Sequence, residues 1–271
     1  MSLINGDSFA NSDELTVNYT FGRLFYQCTG LTSAENLILP ATTLTSSCYY
    51  YMFQDCTNLT TAPELPATTL TQQCYSNMFS GCTSLIATPE LPATTLAMSC
   101  YSAMFYGCTS LTTAPELPAT TLVNSCYQQM FQGCTSLTTA PELPTTTLEL
   151  NCYNNMFRDC TSLTVAPELP ATTLEYGCYS CMFYGCTSLT TAPELPATTL
   201  ATSCYEYMFQ DCTRLNYIKA MFTTTPSKSY TDSWVKSVAS SGTFVKNSAA
   251  TWTTTGVNGI PTGWTVQTAT E

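Results

Sequence analysis

The chain has 271 residues, a formal net charge of -11, only 9% charged residues and no histidine. Seven Lys and Arg in all are too few and too scattered for a phosphate-binding surface, so nucleic acid is excluded as a partner. The missing histidine removes Ser-His-Asp and Cys-His catalysis, while a 44% apolar content is ample for a buried core.

Residues 1–27 read as an N-terminal cap. Met1-Ser2-Leu3-Ile4-Asn5-Gly6-Asp7-Ser8-Phe9 has neither a basic nor a long apolar region, so no secretory signal peptide is expected in this chain. No stretch anywhere is apolar for long enough to predict a membrane-inserted span.

From Cys28 to Leu215 one unit, C-T-S-L-T-T-A-P-E-L-P-A-T-T-L-x-x-x-C-Y-x-x-M-F-x-x, recurs every 26 residues. Full copies begin at Cys56, Cys82, Cys108, Cys134, Cys160 and Cys186, and an atypical copy opens at Cys28. Repetition of this strength predicts a solenoid of about seven coils. In one unit, Leu59–Ala62 and Thr68–Leu70 read as short parallel strands. Pro63 and Pro66 form the corner between them, because neither can donate to a strand ladder. Cys74, Tyr75, Met78 and Phe79 then fall at i, i+1, i+4 and i+5, the spacing of one face of a short helix. Burying about seven apolar side chains per coil yields roughly 10–20 kcal/mol. Ordering a coil costs roughly 1–2 kcal/mol per residue, so no coil folds alone and stacking must supply the rest.

The sixteen cysteines form two columns, Cys48 to Cys204 and Cys28 to Cys212, with Cys181 outside both. Within a coil the two columns are separated by roughly 12 Å of helix, too far for a bridge. Pairing between stacked neighbours about 5 Å apart is geometrically open, but two ladders of buried, inert thiols are expected. Cys178 and Cys181 make the one C-x-x-C, without the second ligand pair that zinc requires, so neither metal nor other cofactor is expected.

Variation between copies concentrates before the first cysteine, after C-Y and after M-F. The occupants form a candidate binding face: Tyr50, Tyr51, Gln72, Gln73, Asn77, Tyr106, Gln128, Gln129, Asn154, Asn155, Tyr176, Tyr184 and Tyr207. Tyr with Asn and Gln is the composition of recognition loops, in which rigid aromatics supply area and amides adaptable hydrogen bonds. The Glu64, Glu90, Glu116, Glu142, Glu168 and Glu194 row is one carboxylate per coil in a line, not two facing one cleft as a glycosidase needs.

Residues 216–271 read as a C-terminal capping segment holding all three tryptophans and all four lysines. Asp232 is expected to cap a short helix through Trp234, Val235 and Val238, and Thr243–Lys246 and Trp264–Val266 are expected strands.

The phrases L-T-T-A-P-E-L-P-A-T-T-L and C-Y-x-x-M-F-x-G-C-T-S-L resemble the BspA-like leucine-rich repeats of gut bacteria and their phages. The resemblance implies a leucine-rich-repeat solenoid capped at both ends, used for attachment and carrying no catalytic residue. The expected partner is a surface glycan or protein receptor, with oligomerisation or docking to a larger assembly left open. The expected setting is an extracellular surface or a phage virion. The alternatives are a passive structural or decoration protein of a virion and, more remotely, a carbohydrate-active enzyme.

Overall fold

The computed structural model describes residues 13–269, and they form the expected solenoid. Each coil turns through the Leu59–Ala62 region, the proline corner and the Thr68–Leu70 region before returning through C-Y-x-x-M-F. Both strand regions contract to single parallel bridges, such as Thr113↔Thr139 and Thr139↔Val165 on one side and Thr69↔Thr95 on the other. The prolines between them leave too little donor-bearing backbone for longer pairing.

The expected helix is absent. Residues 72–82 and their equivalents form a ribbon of consecutive turns with φ near +55° at every fourth position: Ser47, Tyr51 and Asp55, then Gln73, Asn77 and Gly81, and so on. Two sets of N–H groups alternate along it. Cys48, Met52 and Cys56 close i→i−3 turns onto Thr45, Tyr49 and Phe53. Between them Ser47, Tyr49, Tyr51, Phe53 and Asp55 donate to the next coil at Gln72, Cys74, Ser76, Met78 and Ser80, over 2.8–3.2 Å. A helix would consume all these donors internally and leave the coils joined by side chains alone. The left-handed residues cost roughly 1–2 kcal/mol each where they are not glycine, and cross-coil bonds worth about 1 kcal/mol each offset that. The third column shows the demand: Gly81, Gly107, Gly133 and Gly185 alternate with Asp55, Asp159 and Asp211, residues tolerant of positive φ.

The ribbon turns the same side chains inward that a helix would have. Tyr49 to Tyr205 stack with ring centroids 5.5–6.1 Å apart, and Phe25 to Phe209 at 5.3–5.8 Å, all nearly parallel. The Met column, the Leu59-to-Leu215 column and the Cys columns from Cys48 and Cys56 onward are fully buried with them.

Every cysteine is free, and all but Cys28 are buried. The second column has a defined role. Cys82, Cys108, Cys134, Cys160 and Cys186 donate S–H to the Phe carbonyl of the preceding coil at 3.1 Å. Burial also raises the thiol pKa values, to about 12 at Cys134 and Cys74 and about 11 at Cys126. These thiols stay protonated donors rather than nucleophiles.

Both ends continue the ladder. Phe21, Arg23, Phe25 and Gln27 donate to Cys48, Tyr50, Met52 and Gln54, so residues 19–28 are a ribbon of the repeat's own kind. At the other end β1 (Tyr217–Ala220), β2 (Thr243–Lys246) and β3 (Thr265–Thr268) form one parallel sheet, joined to the repeats by the Thr191↔Tyr217 and Leu195↔Ala220 bridges. The helix in this segment is not the one expected. It is α1, Lys228–Thr231, capped by Ser227, and Asp232 follows it. Trp234 instead stands on the ribbon, where Phe209 donates to its carbonyl. The three indoles close the core, donating to Gly259, Phe222 and Ala239 at 2.7–3.1 Å. Among the described residues no helix is long and apolar enough to cross a membrane.

Candidate functional site

The outer side of the ribbon carries the variable residues. Gln72, Tyr106 and Tyr176 are exposed, and the other ten candidates are half-buried, so none is lost to the core. They lie in columns running along the stack rather than in a pocket. Sequence reasoning treated all of them as one helix face, whereas the ribbon divides them into two kinds. Tyr51, Gln73, Asn77, Gln129, Asn155 and Tyr207 occupy left-handed positions, with φ between 52° and 59°. Asn at such places answers a backbone demand as well as any ligand. Tyr50, Gln72, Tyr106, Gln128, Asn154, Tyr176 and Tyr184 are under no such demand, and their variety is free of the backbone.

The face is partly organised already. Gln128 Nε2 donates to Asn154 Oδ1 of the next coil at 3.4 Å, and Gln210 Nε2 to Tyr184 Oη at 3.4 Å. Arg158 lies 4.3 Å from the Tyr184 ring centroid and pairs with Asp159 at 3.4 Å. Hydrogen bonding to Asp211 raises the Tyr184 pKa, and the charge of Asp232 raises that of Tyr207, so both phenols stay neutral. Met98 and Leu150, in the column of Gln72 and Tyr176, are exposed apolar additions that a search for polar recognition residues passed over.

Three further residues belong to this surface: Tyr19, Arg23 and Tyr26. The Arg23 guanidinium lies 5.2 Å from the Tyr51 ring centroid and 5.8 Å from that of Tyr26, and Tyr19 packs edge-on against Tyr50. They fell within the segment read as a cap. The signal for them was Phe21-x-x-x-Phe25-x-x-Cys28, a degenerate copy of Tyr49-x-x-x-Phe53-x-x-Cys56 offset by 28 residues.

On the opposite side, successive P-E-L-P corners enclose repeated open grooves of about 410–480 Å³, such as that between Ala62–Pro66 and Pro89–Pro92. The glutamates stand exposed in a line along them, the last, Glu194, paired with Lys219 at 2.9 Å. No group of three ligating side chains is placed to hold a metal ion among the described residues.

The family model for the BspA type leucine rich repeat region matches this chain in six copies, over residues 20–164, 75–216 and 151–248. Among solved structures, a leucine-rich repeat protein from Bacteroides ovatus is similar at 18% identity, with 83% of this chain and 71% of that one covered and a TM-score of 0.37. No curated protein matches.

Proposed function

The chain belongs to the BspA-type leucine-rich repeat family, whose repeats are typically non-enzymatic interaction and adhesion modules, and we propose that it is a recognition module working through its variable ribbon face. One observation carries this reading. The outward columns of the ribbon differ from coil to coil and display Tyr, Asn and Gln, while the more exposed Thr and Glu columns of the corner side stay nearly fixed. Drift at solvent-exposed positions would have loosened both sides. A surface without a deep pocket suits a receptor presented as an extended glycan or a protein face, since specific interfaces rest on a few anchors rather than on cavity volume. The proposed setting is an extracellular surface or a phage virion.

The test is a screen of the full chain against surface glycans and host cells. With a binder in hand, changing Tyr51, Tyr106 and Tyr184 together to serine should weaken binding at least roughly tenfold with the melting temperature nearly unchanged. Thr60, Thr112 and Thr138 changed to serine should leave affinity intact. If the threonine variant loses binding and the tyrosine variant keeps it, the corner side is the working surface. A chain that binds nothing in such screens would be a passive structural or decoration protein of a virion.

A further inference from the structure

Between residues 13 and 212 the chain has only two cationic side chains, Arg23 and Arg158. Both lie on the variable ribbon against a variable tyrosine, Tyr51 and Tyr184 respectively. Their circumstances differ. Arg158 is committed to Asp159 and Asn155. Arg23 makes no ion pair or side-chain hydrogen bond among the described residues. Among the described residues its guanidinium lies against the rings of Tyr26 and Tyr51, with Tyr50 close enough to feel its charge. A guanidinium held near two aromatic rings, with no carboxylate among the described residues on its N–H fork, can offer a two-point hydrogen bond to a planar or tetrahedral oxyanion.

The surrounding rings say what the oxyanion is attached to. Tyr50 packs at 69° to Tyr51, and Tyr19 at 82° to Tyr50, so the rings make a stepped notch rather than a flat apolar pad. Tyr19 and Tyr26 are 60% and 41% exposed, so much of each ring meets solvent. Exposed phenol rings with hydroxyl rims suit the C–H face and hydroxyls of a sugar.

We propose that Arg23, with Tyr19, Tyr26, Tyr50 and Tyr51, forms a subsite for a sugar bearing an acidic group, a carboxylate or a sulfate. The ring stacks on tyrosine, and the acid accepts from the Arg23 fork. This inference rests on the ribbon face being the recognition surface and adds the class of ligand.

Binding of the full chain is measured to matched pairs differing only in the acid: 3′-sialyllactose against lactose, hyaluronan oligosaccharides against their carboxyl-reduced forms, and chondroitin sulfate against its desulfated form. The expected result is at least a tenfold preference for the acidic member of one pair or more. Arg23→Gln should reduce that preference to near unity, and Arg23→Lys, which keeps the charge but not the fork, should fall between. Which pair responds separates carboxylate from sulfate. Equal binding within every pair, no binding to any, or an Arg23→Gln variant that keeps the preference overturns the inference. So does selective binding of an acidic peptide, polyglutamate, with no glycan bound. The triple change of Tyr51, Tyr106 and Tyr184 distinguishes the failures. If it weakens binding while Arg23→Gln does nothing, the face stands and the acidic subsite falls. If neither changes binding, both readings fall.

Discussion

Thr145 offers the sharpest test of how the core is satisfied. It stands where other coils have alanine (Ala67, Ala93, Ala119, Ala171, Ala197), and its hydroxyl lies 2.7 Å from the Tyr153 hydroxyl, both residues buried. The Tyr49 and Tyr127 hydroxyls, in coils with alanine at that place, are buried without a hydrogen-bond partner. Removing one partner of a buried pair leaves the other desolvated at a cost of about 1–3 kcal/mol, whereas removing both can be nearly neutral. Thr145→Ala and Tyr153→Phe should therefore each destabilise by about 1–2 kcal/mol, and the double variant should be more stable than either single one. Chemical denaturation followed by circular dichroism, with all four proteins in one cycle, reads the coupling directly. Additive losses, leaving the double variant the least stable, would refute the argument. Ala119→Thr is the converse: it supplies Tyr127 with the missing partner, in a position that the Thr145 coil shows can hold the larger side chain.

The remaining tests address the thiols, the backbone and pH. Under native conditions only Cys28 should react rapidly with a thiol reagent, with the other fifteen appearing on denaturation. Six or more disulfides by mass spectrometry would contradict the free ladder. Gly133→Ala, at φ +75°, should destabilise by roughly 1–2 kcal/mol, while Gln129→Gly, at φ 59°, should be near neutral or stabilising. Equal effects on the melting temperature would argue against the ribbon. Because burial raises the thiol pKa from 9.0 to about 12 at Cys74 and Cys134, the folded state keeps the proton where the unfolded chain releases it. Stability is then fully present below pH 9 and lost between pH 9 and about 12, by about 1.4 kcal/mol per pH unit for each such thiol. Melting temperature against pH at constant salt checks this, and a flat profile to pH 11 would contradict it.

The period, the family and the inward-facing residues could all be read from the sequence, because a 26-residue repeat leaves few ways to stack Leu59, Tyr75, Met78 and Phe79. The conformation that presents them could not be read from hydrophobic spacing. A ribbon of turns with φ > 0 at every fourth residue buries i, i+1, i+4 and i+5, and so does a helix. The distinguishing signal lay in the outward residues. Gly or Asp alone fills the position before the second cysteine in every copy from Asp55 to Asp211, a choice poor for a helix interior and suited to a left-handed turn. Arg23 was missed for a related reason. Its coil keeps the aromatic spacing but not the C-Y-x-x-M-F letters, and a search by motif stops where the letters stop.

The ribbon also explains how the outer face can vary at little cost to the fold. In a helix, outward residues contribute propensity and i,i+4 contacts, so changing them alters stability. Here cohesion between coils comes from backbone N–H groups, stacked Tyr and Phe rings, and thiols bonded to carbonyls. None of these involves the outward side chains of Gln72, Tyr106 or Tyr176, and the outward columns add weaker contacts between coils, such as the 3.4 Å bonds from Gln128 to Asn154 and from Gln210 to Tyr184. Only the left-handed columns restrain choice, and even these hold Tyr51, Ala103, Gln129 and Cys181 in equivalent places. A scaffold that draws most of its stability from elsewhere than its outward columns can change its ligand one coil at a time. Exchanging Gln128 and Asn154 for the Ser76 or Ser102 of their columns removes one long hydrogen bond and should shift the melting temperature by no more than about 2 °C, within the small range of ordinary surface changes. A drop of several degrees from either exchange would show that the face is structural, and the recognition reading would lose its main support.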